Sequence, residues 1–214
     1  MIKYLFWDFD GTLFDTYKQM VPAFRHALLD LEVDDVEIDD YDIYLTMRRH
    51  SLGTAVSKYA AFFGVNKDRL KEIEKKYENK DVLKAKPFVG VEGVLKFNLT
   101  QNGENFLLTH RDDLAEDLLA KFNLKELFSD AVTANQLFPR KPNPESLNWL
   151  IKHNNVQRNK SAMIGDRQLD IQAGHNANIS GFLFDPDAII SNDGTPEFRF
   201  NQMPELLKYL KKHK

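Results

Sequence analysis

The sequence predicts an α/β fold: a doubly wound parallel sheet interrupted after its first strand by an inserted, all-helical block. Three observations carry that expectation. One apolar, strand-like run stands at the start of the chain and ends in carboxylates and a glycine. From Thr16 to about Lys80 the texture is helical, with no convincing strand pattern. Beyond Gly90 strand-like and helical stretches alternate, the order that parallel strands with right-handed crossovers require.

The opening run, Tyr4-Leu-Phe-Trp-Asp-Phe-Asp-Gly-Thr-Leu-Phe-Asp15, is bulky and strand-favouring up to Trp7, as in a buried strand. Asp8 and Asp10 suit no apolar core, because like charges held two residues apart need a cation, a proton or water. If Gly11 turns the chain, both lie at the C-terminal end of the strand, where open α/β sheets bind ligands. Terminating the strand and capping the next segment is the competing role for this pair. Met20, Phe24, Ala27, Leu28 and Leu31 follow helical spacing, with Asp15 or Thr16 as N-cap and with a late start or a kink at Pro22. Further helices are expected from Asp39 or Asp40 to Arg49, from Ser51 or Leu52 to Phe63 with Gly64 as terminator, and from Asn66 or Asp68 through Lys80. The pattern alternates again from Val82, and Pro87 and Gly90 mark a return to the first domain. The predicted boundaries are residues 1–15 and 84–214 for the α/β core and 16–83 for the cap. Within the core, helices are expected at 91–101, 112–121, 145–153 and 170–176, and strands at 105–109, 130–133, 161–165 and 179–184, the last taken as the final core strand.

Composition narrows the chemistry. The 214 residues are 43% hydrophobic and 29% charged with a net charge of −3, ordinary for a globular protein and without the basic field that nucleic acid needs. There are no cysteines, so disulfides, thiolate nucleophiles and cysteine-held metals are excluded. No apolar run approaches the roughly 20 residues of a membrane span. A cytoplasmic protein is expected, with neither nucleic-acid nor membrane partners.

The residues that follow the predicted strands form one set: Asp8 and Asp10, Thr109, Lys141 in Arg140-Lys-Pro142, and Asp166 with Asp170. One hydroxyl, one ammonium and four carboxylates make an odd core and a sensible site for a phosphate with a hard metal. A carboxylate can attack phosphorus and divide one displacement into two. Mg²⁺ takes one or two carboxylates plus substrate phosphate and water, and Asp8 and Asp166 can supply them. Lys141, the Thr109 hydroxyl and the amides after Asp8 would stabilise the phosphoryl oxygens, and Asp10 would move the proton.

Asp8-Phe-Asp-Gly-Thr12, Leu107-Leu-Thr109, Arg140-Lys-Pro142 and Gly165-Asp-Arg-Gln-Leu-Asp170, in that order, resemble the four motifs of the haloacid dehalogenase superfamily, with its HAD-like Rossmannoid core. A helical block just after the first motif resembles the C1 cap of the phosphoglycolate phosphatase and β-phosphoglucomutase branch. The resemblance implies a Mg²⁺-dependent phosphatase acting on a small phosphorylated metabolite through an aspartyl-phosphate. It implies Asp8 as nucleophile and metal ligand, and Asp10 as general acid/base with a metal-binding carbonyl. Gly11, Thr12, Thr109, His110 and Lys141 are then the residues toward the substrate phosphate, Asp166 a metal ligand and Asp170 a supporting carboxylate. His110 stands where Asn is frequent. Arg48, Arg49 and His50 are candidates for substrate specificity, Tyr17, Lys18 and Met20 for the lining of the cap–core cleft, while His26, His153 and His175 lack metal-ligand spacing. A sugar phosphomutase is the alternative, opposed by Met20 near the position of a cap-hinge histidine. A dehalogenase is opposed by Asp10. A phosphate-binding module without turnover is the remaining reading, and a monomer or weak dimer is expected.

Overall fold

The computed structural model describes residues 1–191 and 194–213. The chain divides into two compact units, Met1–Phe14 with Pro87–Lys214, and Asp15–Lys86. Among the described residues no helix is long and apolar enough to cross a membrane.

The first unit is a six-stranded sheet in the order β3-β2-β1-β4-β5-β6, parallel throughout. Its strands are β1 (Tyr4–Trp7), β2 (Glu104–Leu108), β3 (Asp130–Val132), β4 (Ser161–Gly165), β5 (Ser180–Phe184) and β6 (Phe198–Phe200). β1 is central because Leu5, Phe6 and Trp7 are fully buried and can be covered on both faces. The chain steps from β1 outward to β2 and β3, then crosses to β4 on the other side. The reversal lies between β1 and β4, where a doubly wound sheet opens its ligand crevice. The Asp8 N–H donates to the Ile164 carbonyl at 2.9 Å, so the first residue beyond β1 is tied to the end of β4. Helices α5 (Val91–Thr100), α6 (Leu114–Lys121), α7 (Glu145–His153), α8 (Gln168–Asn176) and α9 (Met203–Lys212) complete the unit. Phe6, Phe106, Leu108, Val132 and Met163 from the sheet pack with Leu147, Leu150 and Ile151 of α7 and Ala173 of α8 in one buried cluster.

β5 is not the final strand. β6 adds outside it, pairing Phe182 with Phe198 and Phe184 with Phe200, and the rings of Phe184 and Phe200 stand 5.2 Å apart. Val82–Lys84, where an alternating pattern was expected, is a single 3-10 turn.

The second unit holds α1 (Tyr17–Leu29), α2 (Asp40–Arg49), α3 (Leu52–Phe63) and α4 (Lys67–Asp81). It has its own core, in which Phe24, Leu28, Ile43, Met47, Val56, Tyr59 and Leu70 are buried together. α1 neither starts late nor stops at Pro22, which lies inside it. Pro22 is exposed, as are Lys18 and His26 on either side of it along the helix, so the polar groups it disrupts face water. The N–H of Asp15 donates to the Lys86 carbonyl at 3.0 Å and closes the two ends of the unit on each other. Thr16 is the N-cap residue of α1, without a side-chain cap hydrogen bond, and Asp15 pairs with Lys18 at 2.6 Å.

Candidate active site

The site is built in the first unit from the loops that leave β1, β2, β3 and β4. After β1 the chain makes a tight loop. Gly11 adopts a φ of 72°, in the left-handed region where a side chain is strained, and its N–H donates to the Phe14 carbonyl at 2.8 Å. The Thr12 N–H is directed to the Phe9 carbonyl at 3.3 Å. The amides of Gly11 and Thr12 are thus directed to carbonyls of the loop itself. Phe9 and Phe14 stack with centroids 4.7 Å apart and hold the loop on the apolar core.

Asp8 is buried, and so are Asp166 and Asp170. One oxygen from each lies within 4.8 Å of the others. Lys141, its side chain fully buried, reaches Asp8 Oδ1 at 2.5 Å and Asp170 Oδ1 at 2.5 Å, and also approaches the Leu108 carbonyl at 3.3 Å. Asp170 is the third residue of α8, and its Oδ2 accepts the Arg167 N–H at 3.2 Å. It packs directly on Gly165, where an added Cβ would come within 2.2 Å of the Asp170 Cβ. The glycine closing β4 therefore makes room for that carboxylate. Thr12 Oγ1 lies 3.5 Å from Asp166 Oδ1.

The electrostatics follow from crowding. The Asp8 carboxyl is pushed up to about 7, first by burial and further by Asp170 and Asp166, against the pull of Lys141 and Arg167. Burial opposes the charge on Lys141, but Asp170 and Asp8 outweigh it and hold the ammonium above its usual range. Burial likewise opposes ionisation of Asp170, and Lys141 and Arg167 overcome it and keep that carboxyl low. The Arg167 guanidinium stands 3.8 Å from Asp8, 3.7 Å from Asp166 and 4.0 Å from Asp170. Two fixed cations face three buried carboxylates, and Asp8 Oδ2 receives no hydrogen bond among the described residues. Hard oxygen donors, net negative charge and the unsatisfied Asp8 Oδ2 fit a divalent cation of the Mg²⁺ kind.

Thr109 and His110 act on their neighbours. Thr109 Oγ1 accepts the Arg111 N–H at 3.0 Å, which leaves its own proton to donate elsewhere. His110 Nε2 accepts the Lys141 N–H at 3.0 Å, fixing the main chain that carries the lysine. Asp10 is held apart from this cluster's hydrogen bonds by Arg111, which contacts both of its oxygens.

Arg48, Arg49 and His50 end α2 in the second unit. Arg48 is buried with its guanidinium 5.6 Å from the centre of the Tyr17 ring, whereas Arg49 and His50 are exposed. Tyr17 and Met20 are buried and Lys18 is exposed. His26 stands edge-on to Tyr77, His153 stacks on Trp149, and His175 lies 3.1 Å from Glu197, so each has an ordinary packing role.

Two residues of the site, Arg111 and Arg167, fall outside those the sequence singled out. The signal for them was charge: four carboxylates against one ammonium is unbalanced, and an arginine directly follows both Thr109-His110 and Asp166.

Comparison with known proteins agrees with this architecture. A phosphoglycolate phosphatase of Aliivibrio fischeri is 25% identical over 189 residues, covering 85% of this chain and 83% of that protein. Another, of Aquifex aeolicus, is 22% identical over 99% of this chain and 98% of its own. Among solved structures, a hydrolase from Streptococcus pneumoniae TIGR4 is 27% identical with a TM-score of 0.66, each chain covered to 98%. A predicted phosphoglycolate phosphatase from Haemophilus somnus 129pt superposes with a TM-score of 0.82 at 19% identity, again over 98% of both chains, a likeness of fold. Residues 5–184 match the haloacid dehalogenase-like hydrolase model, a span that contains all four strand-end motifs, and the chain belongs to that family.

Proposed function

We propose that this chain is a phosphomonoester hydrolase acting on a small phosphorylated metabolite, with Asp8 as the attacking group and Mg²⁺ as cofactor. The observation that carries the proposal is the state of Asp8: one oxygen fixed by Lys141 at 2.5 Å, the other buried without a hydrogen bond among the described residues, in a cluster of three carboxylates. A buried oxygen left in that state costs free energy unless something electrophilic completes it. The names of the relatives point to the same chemistry, and phosphoglycolate is the first substrate to try.

In the proposed reaction an Asp8 oxygen attacks phosphorus, the ester P–O bond breaks, and the departing alcohol oxygen takes a proton from Asp10. Water then attacks the aspartyl-phosphate, its proton passes to Asp10, and inorganic phosphate leaves as Asp8 is regenerated. Lys141 serves as a point charge that orients Asp8 and meets the phosphoryl oxygens, and the Thr109 hydroxyl donates to them. Asp8, Asp166 and the Asp10 carbonyl would hold Mg²⁺, with Asp170 in support through Lys141. Bound there, the cation neutralises the carboxylates and the phosphate so that like charges can approach. Helices 16–83 act as the cap that selects substrates, with Arg49 and His50 as its exposed candidates and Arg48 as a buried one.

The test is release of inorganic phosphate from p-nitrophenyl phosphate with and without Mg²⁺, followed by a panel of metabolite phosphates beginning with phosphoglycolate. Turnover should require the cation, and Asp8→Asn should lower kcat by more than about a thousandfold, as loss of a nucleophile does. Release by folded Asp8→Asn at near wild-type rate would remove Asp8 from the role.

A further inference from the structure

We propose that Arg111 is the positioning residue for proton transfer: its guanidinium contacts both oxygens of Asp10 and fixes the orientation of the carboxyl that passes the proton. This rests on the phosphatase proposal and adds a residue outside the four motifs. Arg111 Nε donates to Asp10 Oδ1 at 3.0 Å and to Oδ2 at 3.2 Å, and Nη2 donates to Oδ1 at 2.7 Å. Of these three contacts Oδ1 takes two, including the shortest, and Oδ2 takes the longest. The pair is partly screened from water, with side-chain exposures of 7% for Arg111 and 20% for Asp10.

The clamp is itself held. The Arg111 N–H donates to Thr109 Oγ1 at 3.0 Å, and the Arg111 carbonyl accepts the Ala134 N–H at 2.9 Å. One residue thus ties the loops after β1, β2 and β3. Asp10 sits in a tight loop beside Gly11, and its side chain would rotate without a partner. A guanidinium fork fixes the plane of a carboxylate, which the single point charge of lysine does not. A proton donor must lie within hydrogen-bond reach of the leaving oxygen, and small misplacements cost large factors in rate.

The experiment compares kcat/KM for p-nitrophenyl phosphate and for the best aliphatic phosphomonoester of the panel, starting with β-glycerophosphate. The proteins are wild type, Arg111→Lys, Arg111→Met, Asp10→Asn and the Asp10→Asn/Arg111→Met double variant. This ratio reports the steps up to departure of the leaving group. Nitrophenolate departs as an anion, whereas an alkoxide needs the proton. Arg111→Met should lose about a hundredfold on the aliphatic ester and less than about fivefold on the aryl ester, Arg111→Lys should fall between, and Arg111→Met should cost nothing further once Asp10 is Asn. Equal losses on both esters, or a loss that multiplies with that of Asp10→Asn, would overturn the proposal in favour of direct substrate contact. If Arg111→Met does not fold, the two ratios for Arg111→Lys decide in the same way. Wild type that cleaves aryl but no aliphatic esters gives Asp10 no proton to deliver and overturns the positioning role alone. Wild type that releases no phosphate from any ester overturns the phosphatase proposal on which the positioning role rests.

Discussion

His110 is a neutral imidazole by construction. The Lys141 N–H points at Nε2, so that nitrogen must keep its lone pair and the ring proton stands on Nδ1. Burial first, then the charges of Lys141 and Arg140, lower its pKa from 6.5 to about 3. Between those values the unfolded chain takes up a proton that the folded chain refuses. The residue's contribution to stability is therefore fully present above about pH 6.5 and is lost as pH falls toward 3, by at most about 1.4 kcal/mol per pH unit. His110→Asn cannot titrate, so its stability deficit against wild type should be largest near pH 7.5 and shrink on acidification, read from denaturant midpoints at several pH values. A deficit constant from pH 7.5 to 4.5 would show that the ring titrates alike in both states. This behaviour could not be read from the sequence, because the partner lies 31 residues away. The Asp10–Arg111 pair spans 101 residues and was hidden for the same reason. Asp8, Asp10 and Asp166 stood out in the sequence because carboxylates that close apolar strand runs violate a local pattern, whereas Lys141, well beyond the end of β3 at Val132, stood out only through the Arg140-Lys-Pro142 motif.

Local chemistry also explains which elements could be read. Asp39, Ser51 and Asn66 cap α2, α3 and α4, each accepting amide protons from the first turn. A few consecutive residues encode each of these starts, and the predicted boundaries fell on them. β6 had no such signal: three residues, Phe-Arg-Phe, gain their identity only by pairing with β5. Gly64 gives the cleanest test at this scale. It ends α3 with φ 67° and ψ 22°, and a Cβ built there meets nothing within 4 Å. Substitution therefore costs backbone conformation and no packing. Gly64→Ala should destabilise by about 1 kcal/mol and Gly64→Asn by less, since asparagine tolerates the left-handed region. Chemical denaturation checks the order, and equal losses for the two variants would show that the left-handed backbone is not the cause.

Across the whole molecule, the acidic cluster exists only when distant parts of the chain are folded together. Lys141 and Asp8 are 133 residues apart, and Asp8 meets Asp166 only because β1 and β4 are neighbours in the sheet. A cation held by these oxygens binds the native state and has no equivalent site in the unfolded chain. Its binding free energy must then appear as stability of the folded protein. With Mg²⁺ at about a hundred times its dissociation constant the gain is about 2.7 kcal/mol, which for a domain of this size raises the thermal midpoint by roughly 5–10 °C. The midpoint should climb with the logarithm of Mg²⁺ concentration and return to its starting value on addition of a chelator. Asp166→Asn should keep the fold, because Lys141 still pairs with Asp8 and Asp170 at 2.5 Å, yet flatten that climb. Two alternatives separate clearly in the same scans. A general salt effect would raise both proteins alike and respond equally to Na⁺ at matched ionic strength, whereas a site built on Asp8 and Asp166 responds to the divalent cation in wild type alone.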